Sequence, residues 1–146
     1  MARCLGIELV DASVPADATI GRAARTLADA HASALAVLGP DGHVIGTFTQ
    51  LDLVRSVFPP YLAELHHTAG LLDDREAMAE RVADRSDDPL PRPTTRPVTV
   101  EIGTSAIHVA ELFLHTGLPA LPVVDGERFV GMLELVAFCR AIVPAP

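Results

Sequence analysis

The chain has 146 residues, of which 49% are hydrophobic and 21% charged, and its 11 basic and 19 acidic residues give a formal net charge of −8. This composition is typical of one globular domain or two small repeats, and the acidic balance argues against a nucleic-acid partner. All basic residues are arginine, which excludes a Walker-type phosphate loop and a Schiff-base lysine. The longest stretch without Asp, Glu or Arg is residues 112–124, interrupted by glycine and proline. We therefore expect no membrane span, no secretory signal and a cytoplasmic protein.

The first predicted elements run from residue 12 to residue 60. A short strand is expected at Ala12–Pro15, followed by a helix that opens at Thr19. Apolar residues at helical spacing give this helix one buried face: Ile20, Ala23, Ala24 and Leu27. Two strand-like runs then flank Asp41-Gly42, which predicts a hairpin. A second helix, Gln50–Phe58, should end at the prolines that follow it.

The middle of the chain predicts one helix and one connector. Asp73 followed by Glu76 has the spacing of a helix N-terminus, and the helix is expected over Asp74–Arg85. The proline-rich stretch Ser86–Pro97 predicts an extended connector.

The last part of the chain repeats the first, with a period of about 85 residues. A strand is expected at Pro97–Glu101, a helix opening at Ser105, a hairpin at Asp125-Gly126 and a helix at Leu135–Ile142. The strongest matches pair Ala34–Val37 with Ala120–Val123 and Val44–Gly46 with Phe129–Gly131. The unit is β-α-β-β-α, present twice. We assign residues 1–60 to the first repeat, 61–96 to a helical insertion and connector, and 97–146 to the second repeat.

Three features together resemble a pair of CBS domains, the tandem repeat called a Bateman module. They are the doubled β-α-β-β-α order, the run LPVVDGERFVG in the second repeat, and the string GTFTQLD at Gly46–Asp52. That string fits the family's nucleotide motif of glycine, two mostly apolar residues, Thr or Ser, two variable residues and Asp. The resemblance implies an α+β fold with the two repeats packed around a pseudo-twofold axis. It also implies frequent homodimers, and clefts that bind AMP, ADP, ATP or S-adenosylmethionine.

Carried over to this chain, the family motif gives Asp52 the ribose hydroxyls and Thr49 the phosphate side. A carboxylate can accept two hydrogen bonds from a cis-diol, which suits the first role. Residues near the motif complete the set of ligand-binding candidates: Thr49, Asp52, Gly46, Phe48, Gln50, Val14 and Arg96. The alternative is structural, because Thr49 and Asp52 also have capping-box spacing and Gly46 also suits close packing.

The second repeat departs from the motif, with Glu134 and Ala137 at the matching positions. Alanine cannot hold a diol, and a glutamate would repel a phosphate. We therefore expect one intact site per chain. Arg92 and Arg96 precede the second repeat and are candidates for a phosphate contact, the alternative being a solvated connector. No basic residue precedes the second strand of either repeat, which favours a ligand with little phosphate charge.

Other residues give no catalytic or metal site. The adjacent His66 and His67 point about 100° apart on a helix, so we expect no metal. His108 and His115 should share an exposed helix face. Cys139 is expected to be buried, whereas the sequence leaves the role of Cys4 open. No serine has the context of a nucleophile, and we expect no enzyme.

Two functions follow from the sequence. The first is a regulatory module that binds an adenosine ligand, needs no obligatory cofactor, and signals to an unknown effector protein or through dimerisation. The second is a structural or protein-interaction module whose ligand sites have both decayed. Neither function involves nucleic acid or a membrane.

Overall fold

The chain has a mixed α+β architecture built from two similar units. A computed structural model describes residues 2–58, 74–93 and 96–146. The strands in these ranges are β1 (Arg3–Cys4), β2 (Ile7–Glu8), β3 (Ser13–Pro15), β4 (Ala34–Leu38), β5 (Val44–Thr49), β6 (Val100–Glu101), β7 (Ala120–Asp125) and β8 (Arg128–Glu134). The helices are α1 (Ile20–Ala30), α2 (Gln50–Val57), α3 (Asp74–Arg85), α4 (Ala106–Thr116) and α5 (Leu135–Ile142).

The first repeat has the predicted β-α-β-β-α order. Its sheet runs β3-β4-β5, with β3 parallel and β5 antiparallel to the central strand. Helix α1 begins where predicted, because the Thr19 side chain accepts a hydrogen bond from the Arg22 N–H at 3.2 Å. The helix buries Ile20, Ala23 and Leu27, whereas Ala24 is half-buried, so the predicted apolar face is confirmed for three of its four residues.

The second repeat has the same topology, β6-β7-β8, and its helices α4 and α5 again lie at the predicted positions. Ser105 caps α4 by accepting from the His108 N–H at 3.3 Å. The first strand is shorter than predicted, because only Val100 and Glu101 pair with β7. Pro97, where the strand was expected to start, has no N–H to donate to a sheet.

The two repeats share a core between their sheets. The side chains of Ala120, Val124 and Met132 from the second repeat belong to the same buried cluster as Leu35 and Phe48 of the first. Equivalent strand pairs also carry the same irregularity, with a register shift next to Val37 in one repeat and next to Val123 in the other. The matching topology and register give the pseudo-twofold arrangement that the family resemblance implied.

Residues 3–8 form a hairpin that the sequence did not predict. Strands β1 and β2 pair antiparallel, and Cys4 and Leu9 are buried in the core of the second repeat. Val10 then pairs with Met132, donating at 2.9 Å and accepting at 2.7 Å. The backbone of Gly131 lets this segment approach, since a Cβ there would lie 2.6 Å from the Leu9 Cβ. The start of the chain therefore completes the second repeat.

The connector in turn packs across the first repeat. Leu90 is buried in the shared core, and its N–H donates to the Ala18 carbonyl at 3.4 Å. A Cβ added to Gly46 would lie 2.8 Å from the Pro93 Cγ, so the matching glycine of the first repeat also makes room for a crossing segment. Each repeat is thus covered by the segment that leads into the other.

Helix α3 has the predicted bounds and lies on the helical side of the first repeat. The Arg81 guanidinium stands over the Phe58 ring at 5.6 Å. At the end of α3, the Ser86 carbonyl accepts from the Gly21 N–H at 3.0 Å. Asp73, His66 and His67 fall outside the described residues, so their predicted roles stay predictions.

The two cysteines are placed differently from the expectation. Cys4 is buried, and this burial raises the pKa of its thiol by desolvation. Cys139 is exposed, so the prediction of a buried Cys139 was wrong. Its neighbour Phe138 takes the inward position on α5 and packs against Phe113 at 5.6 Å between ring centroids. One inward residue per turn leaves Cys139 on the outer side.

Candidate functional site

A cavity of about 780 Å³ opens beside the junction of β5 and α2. The first repeat supplies Gly46, Phe48 and Asp52 to its wall. The second repeat closes the opposite side with His115 and Leu118, which lie at the end of α4 and just before β7. The cavity therefore lies between the two repeats.

Asp52 is held in place by a capping box at the start of α2. One carboxylate oxygen, Oδ2, accepts from the Thr49 N–H at 2.9 Å, and the Thr49 hydroxyl accepts from the Asp52 N–H at 3.0 Å. The other oxygen, Oδ1, lies 3.4 Å from Nη1 of Arg55. The Asp52 side chain remains 36% exposed. It can cap the helix and still present a carboxylate oxygen to a ligand, so the two alternatives left by the sequence are compatible.

Three arginines line the same cavity: Arg55 on α2, and Arg92 and Arg96 on the connector. All three are exposed. Since Asp52 offsets one of these charges, the wall carries more positive than negative charge. Guanidinium groups bind phosphate oxygens in a paired geometry. The connector thus places two cations at the cavity, although none precedes the second strands, and the expectation of a ligand with little phosphate charge stays a prediction.

The structure brings together part of the predicted set. Gly46, Phe48, Asp52 and Arg96 line the cavity. Val14, Thr49 and Gln50 are not among its described lining residues: Val14 is buried in β3, Thr49 is buried as the cap of α2, and Gln50 is exposed.

The wall from the second repeat was missed. Neither His115 nor Leu118 belongs to a local motif, and only the packing of the repeats brings them to Asp52. The repeat itself held a signal, because a pseudo-twofold axis places the end of α4 opposite the motif of the first repeat.

In the second repeat, Glu134 stands at the position equivalent to Thr49, and its side chain binds a residue of the first repeat. Glu134 is only 9% exposed, and its Oε1 accepts from the Ser33 N–H at 2.8 Å. The Ser33 hydroxyl donates to Oε2 of the same carboxylate. Because the side chain turns to Ser33, it makes no capping hydrogen bond to α5. The motif position of the second repeat joins the two repeats instead of facing a ligand.

A comparison with protein-family models gives two matches to the CBS domain, at residues 9–58 and 90–144. The chain belongs to the CBS domain family. The two matches make it a tandem CBS pair, as the sequence resemblance implied. They begin at residues 9 and 90, next to the bridges that Val10 and Pro89 form with the other segments of the fold.

Solved structures of CBS pairs share the fold. A CBS domain protein of unknown function from Kribbella flavida has a TM-score of 0.72 at 20% identity, covering 94% of this chain and 95% of that one. The CBS-domain protein ATU1752 from Agrobacterium tumefaciens has a TM-score of 0.63 at 23% identity, with 95% and 87% covered. CBSX2, solved in complex with AMP, has a TM-score of 0.56 at 20% identity, with 92% and 86% covered. A comparison with curated proteins gives no significant match.

Two searches within residues 2–58, 74–93 and 96–146 bear on other kinds of site. None of the helices there has the length and apolar character needed to cross a bilayer. The same ranges contain no group of three or more His, Cys, Asp or Glu residues that could hold a metal ion.

Proposed function

We propose that this CBS pair is a cytoplasmic regulatory module that binds one adenosine nucleotide per chain in the cavity beside Asp52. One observation carries the proposal: the cavity between the repeats presents both a fixed carboxylate and three arginines. A ribose and a phosphate need those two kinds of group, one accepting and one donating. The AMP complex of CBSX2, which has the same fold, supports this ligand class.

Each residue has a distinct part in the proposed site. Asp52 accepts hydrogen bonds from the ribose hydroxyls through Oδ1, and Arg55 moves from that oxygen to the phosphate. Thr49 is a positioning residue, because its hydroxyl and N–H hold Asp52 in the capping box. Arg92 and Arg96 bind phosphate oxygens. AMP, ADP and ATP therefore fit this wall better than S-adenosylmethionine, which carries no phosphate.

The output of such a site is a change in how the repeats are arranged. The ligand contacts Asp52 in the first repeat and the region of Leu118 in the second, so its binding energy depends on their separation. A ligand shifts a conformational equilibrium only through such a difference in affinity. The chain then acts by binding rather than by catalysis, and passes the change to an effector protein or to a second copy.

The second candidate is an interaction module without a ligand. Its supporting observation is Glu134, which links the repeats at the position where the motif would otherwise face a ligand. Ala137 also lacks a group for a diol. In this alternative the first cleft would have decayed as well, and the cavity would have no nucleotide occupant.

A thermal-shift panel separates the two candidates. The chain is heated with AMP, ADP, ATP, S-adenosylmethionine or NAD, since a ligand that binds only the native state raises the melting temperature. We expect a rise with a phosphate-bearing nucleotide, and its loss in Asp52→Ala. Asp29→Ala, which removes an exposed acid of α1 outside the cavity lining, is the matched control and should retain the rise. No rise with any ligand at millimolar concentration would favour the interaction module.

A further inference from the structure

Arg55 stands at the same carboxylate oxygen that the proposed site gives to the ribose. Oδ2 of Asp52 accepts from the Thr49 N–H at 2.9 Å, so Oδ1 is the oxygen that remains for a ligand. Nη1 of Arg55 donates a hydrogen bond to Oδ1 at 3.4 Å. A carboxylate oxygen accepts about two hydrogen bonds, and a cis-diol brings a pair of O–H donors. Arg55 and a ribose therefore compete for Oδ1.

The Arg55 side chain can relieve this competition without any movement of the helix. The backbone of Asp52 is fixed, because its N–H donates to the Thr49 hydroxyl at 3.0 Å and its carbonyl accepts from the Ser56 hydroxyl at 2.8 Å. The Arg55 side chain, in contrast, is 67% exposed, and it lines the cavity. An ion pair between exposed side chains contributes little free energy. The guanidinium can therefore leave Oδ1 for the cavity while α2 stays in place.

An anion in the cavity is the kind of ligand that draws Arg55 away from Asp52. Exchanging the ion pair for a neutral ribose leaves the guanidinium without an anionic partner, whereas a phosphate offers it two oxygens in a paired geometry. Arg92 and Arg96 differ from Arg55, since neither forms an ion pair in the described part of the chain. Among the three cavity arginines, Arg55 is the one whose movement also changes the ribose site.

We propose that Arg55 makes ribose recognition by Asp52 conditional on a phosphate. With a phosphate in the cavity, Arg55 turns to it and frees both acceptor sites of Oδ1 for the diol. Without a phosphate, Arg55 stays on Oδ1 and the diol loses one of its two hydrogen bonds. This inference rests on the proposed function and deepens it by naming the ligand class, which is nucleotides as opposed to nucleosides and other phosphate-free adenosine compounds. Arg55 is thus a specificity-determining residue.

Calorimetry with AMP and adenosine on Arg55→Ala tests this role, because the two affinities should change in opposite directions. Adenosine should bind about two- to fivefold more tightly, since the competing ion pair is removed. AMP should bind about tenfold more weakly, since a charged hydrogen bond to the phosphate is lost. Arg55 is exposed on α2, so circular dichroism should be unchanged. An adenosine affinity that stays the same or falls would overturn the proposal.

Arg92→Ala is the matched control, because Arg92 lines the same cavity but has no ion pair with Asp52. It should weaken AMP binding without strengthening adenosine binding. An equal gain in adenosine affinity for Arg92→Ala and Arg55→Ala would overturn the proposal, since the gain would then come from the general loss of positive charge. A wild type that binds neither ligand would overturn the proposed function, and this inference with it.

Inorganic phosphate as a separate ligand gives a second test on the natural chain. If phosphate draws Arg55 away from Oδ1, it should raise the adenosine affinity of wild type by about two- to fivefold, relative to sodium chloride at the same ionic strength. Arg55→Ala should show no such increase, because its Oδ1 is free with or without phosphate. Phosphate and adenosine that bind independently to wild type would overturn the conditional recognition while leaving the AMP site of the proposed function intact.

Discussion

Glu134 of the second repeat accepts hydrogen bonds from both the N–H and the hydroxyl of Ser33 in the first. Glu134 is the last residue of β8, and Ser33 directly precedes β4. The pseudo-equivalent pair is Thr49 and Pro119, and Pro119 has no N–H to offer. The Glu134 carboxylate therefore lies opposite Ser33, which offers an N–H and a hydroxyl. Thr49 of the nucleotide motif lies opposite Pro119, which offers neither.

Removing the Glu134 carboxylate should destabilise the whole module. In Glu134→Ala the half-buried Ser33 N–H loses its acceptor, and leaving a fully buried group unsatisfied costs about 1–3 kcal/mol, so we expect a loss toward the lower end. Urea unfolding should show this loss as a lower midpoint with an unchanged slope. A double-mutant cycle with Ser33→Ala isolates the coupling, and strictly additive effects would contradict a direct link.

The connector arginines should determine affinity for the phosphate and not for the nucleoside. In the double variant Arg92→Ala with Arg96→Ala, we expect AMP affinity to fall by about a hundredfold or more, since hydrogen bonds to charged groups contribute about 1.5–3 kcal/mol each. Adenosine affinity should stay the same. Calorimetry with both ligands makes the comparison, and Arg128→Ala, on the exposed end of β8, is the control. An equal loss for AMP and adenosine would place the arginines outside the phosphate site.

The two motif glycines should respond differently to a methyl group. Gly131 has φ +154°, and its added Cβ would meet the Leu9 Cβ at 2.6 Å. We expect Gly131→Ala to lose about 2–4 kcal/mol of unfolding free energy, from overpacking and backbone strain together. In Gly46→Ala the new methyl meets the exposed ring of Pro93, which can move. Here we expect a smaller loss of stability and weaker nucleotide binding, because Arg92 moves with the connector.

Chemical denaturation of both glycine variants, followed by nucleotide titration, measures these effects. Equal losses of stability at the two positions would contradict the conclusion that Leu9 is held beside Gly131 whereas Pro93 can move away from Gly46.

The two thiols should react at very different rates. Cys139 is exposed and Cys4 is buried with a raised pKa, so a disulfide reagent at neutral pH should modify one thiol quickly and the other only on unfolding. Cys139→Ser should remove the fast phase. Two fast phases in wild type would contradict the burial of Cys4.

The same thiol gives a pH dependence. Because the folded-state pKa of Cys4 lies above its unfolded value, the native chain holds the proton more tightly. The stability that the protonated Cys4 thiol contributes is complete below its unfolded-state pKa, about 8.5. It declines as the pH rises through the folded-state pKa. The unfolding free energy of wild type should fall between neutral and alkaline pH more than that of Cys4→Ala.

Local patterns predicted most of the secondary structure. Thr19 and Ser105 stand at helix starts as polar caps, and the period-matched Asp-Gly turns located both hairpins. These signals depend on neighbours within a few residues, so they can be recognised in the sequence. Asp52 was found for the same reason, since its spacing from Thr49 is fixed by one helical turn.

Contacts between distant segments were not predictable in this way. Nothing near Arg3–Glu8 indicates that its hairpin belongs to the second repeat, and the two strands are only two residues long. Glu134 was expected to repel a phosphate, whereas the structure shows which donor it meets. The role of Glu134 depends on the position of Ser33, which is about a hundred residues away in sequence.

Each repeat is covered by the segment that leads into the other, and this arrangement sets an order for folding during biosynthesis. Val10 is translated well before its partner Met132, which lies in β8 of the second repeat. The hairpin of β1 and β2 must therefore wait until β8 has emerged from the ribosome. The first repeat, in turn, lacks Leu90 until the connector has emerged. Neither half is complete without the other, so neither should fold before β8 is available, and either half produced alone should aggregate through its uncovered core.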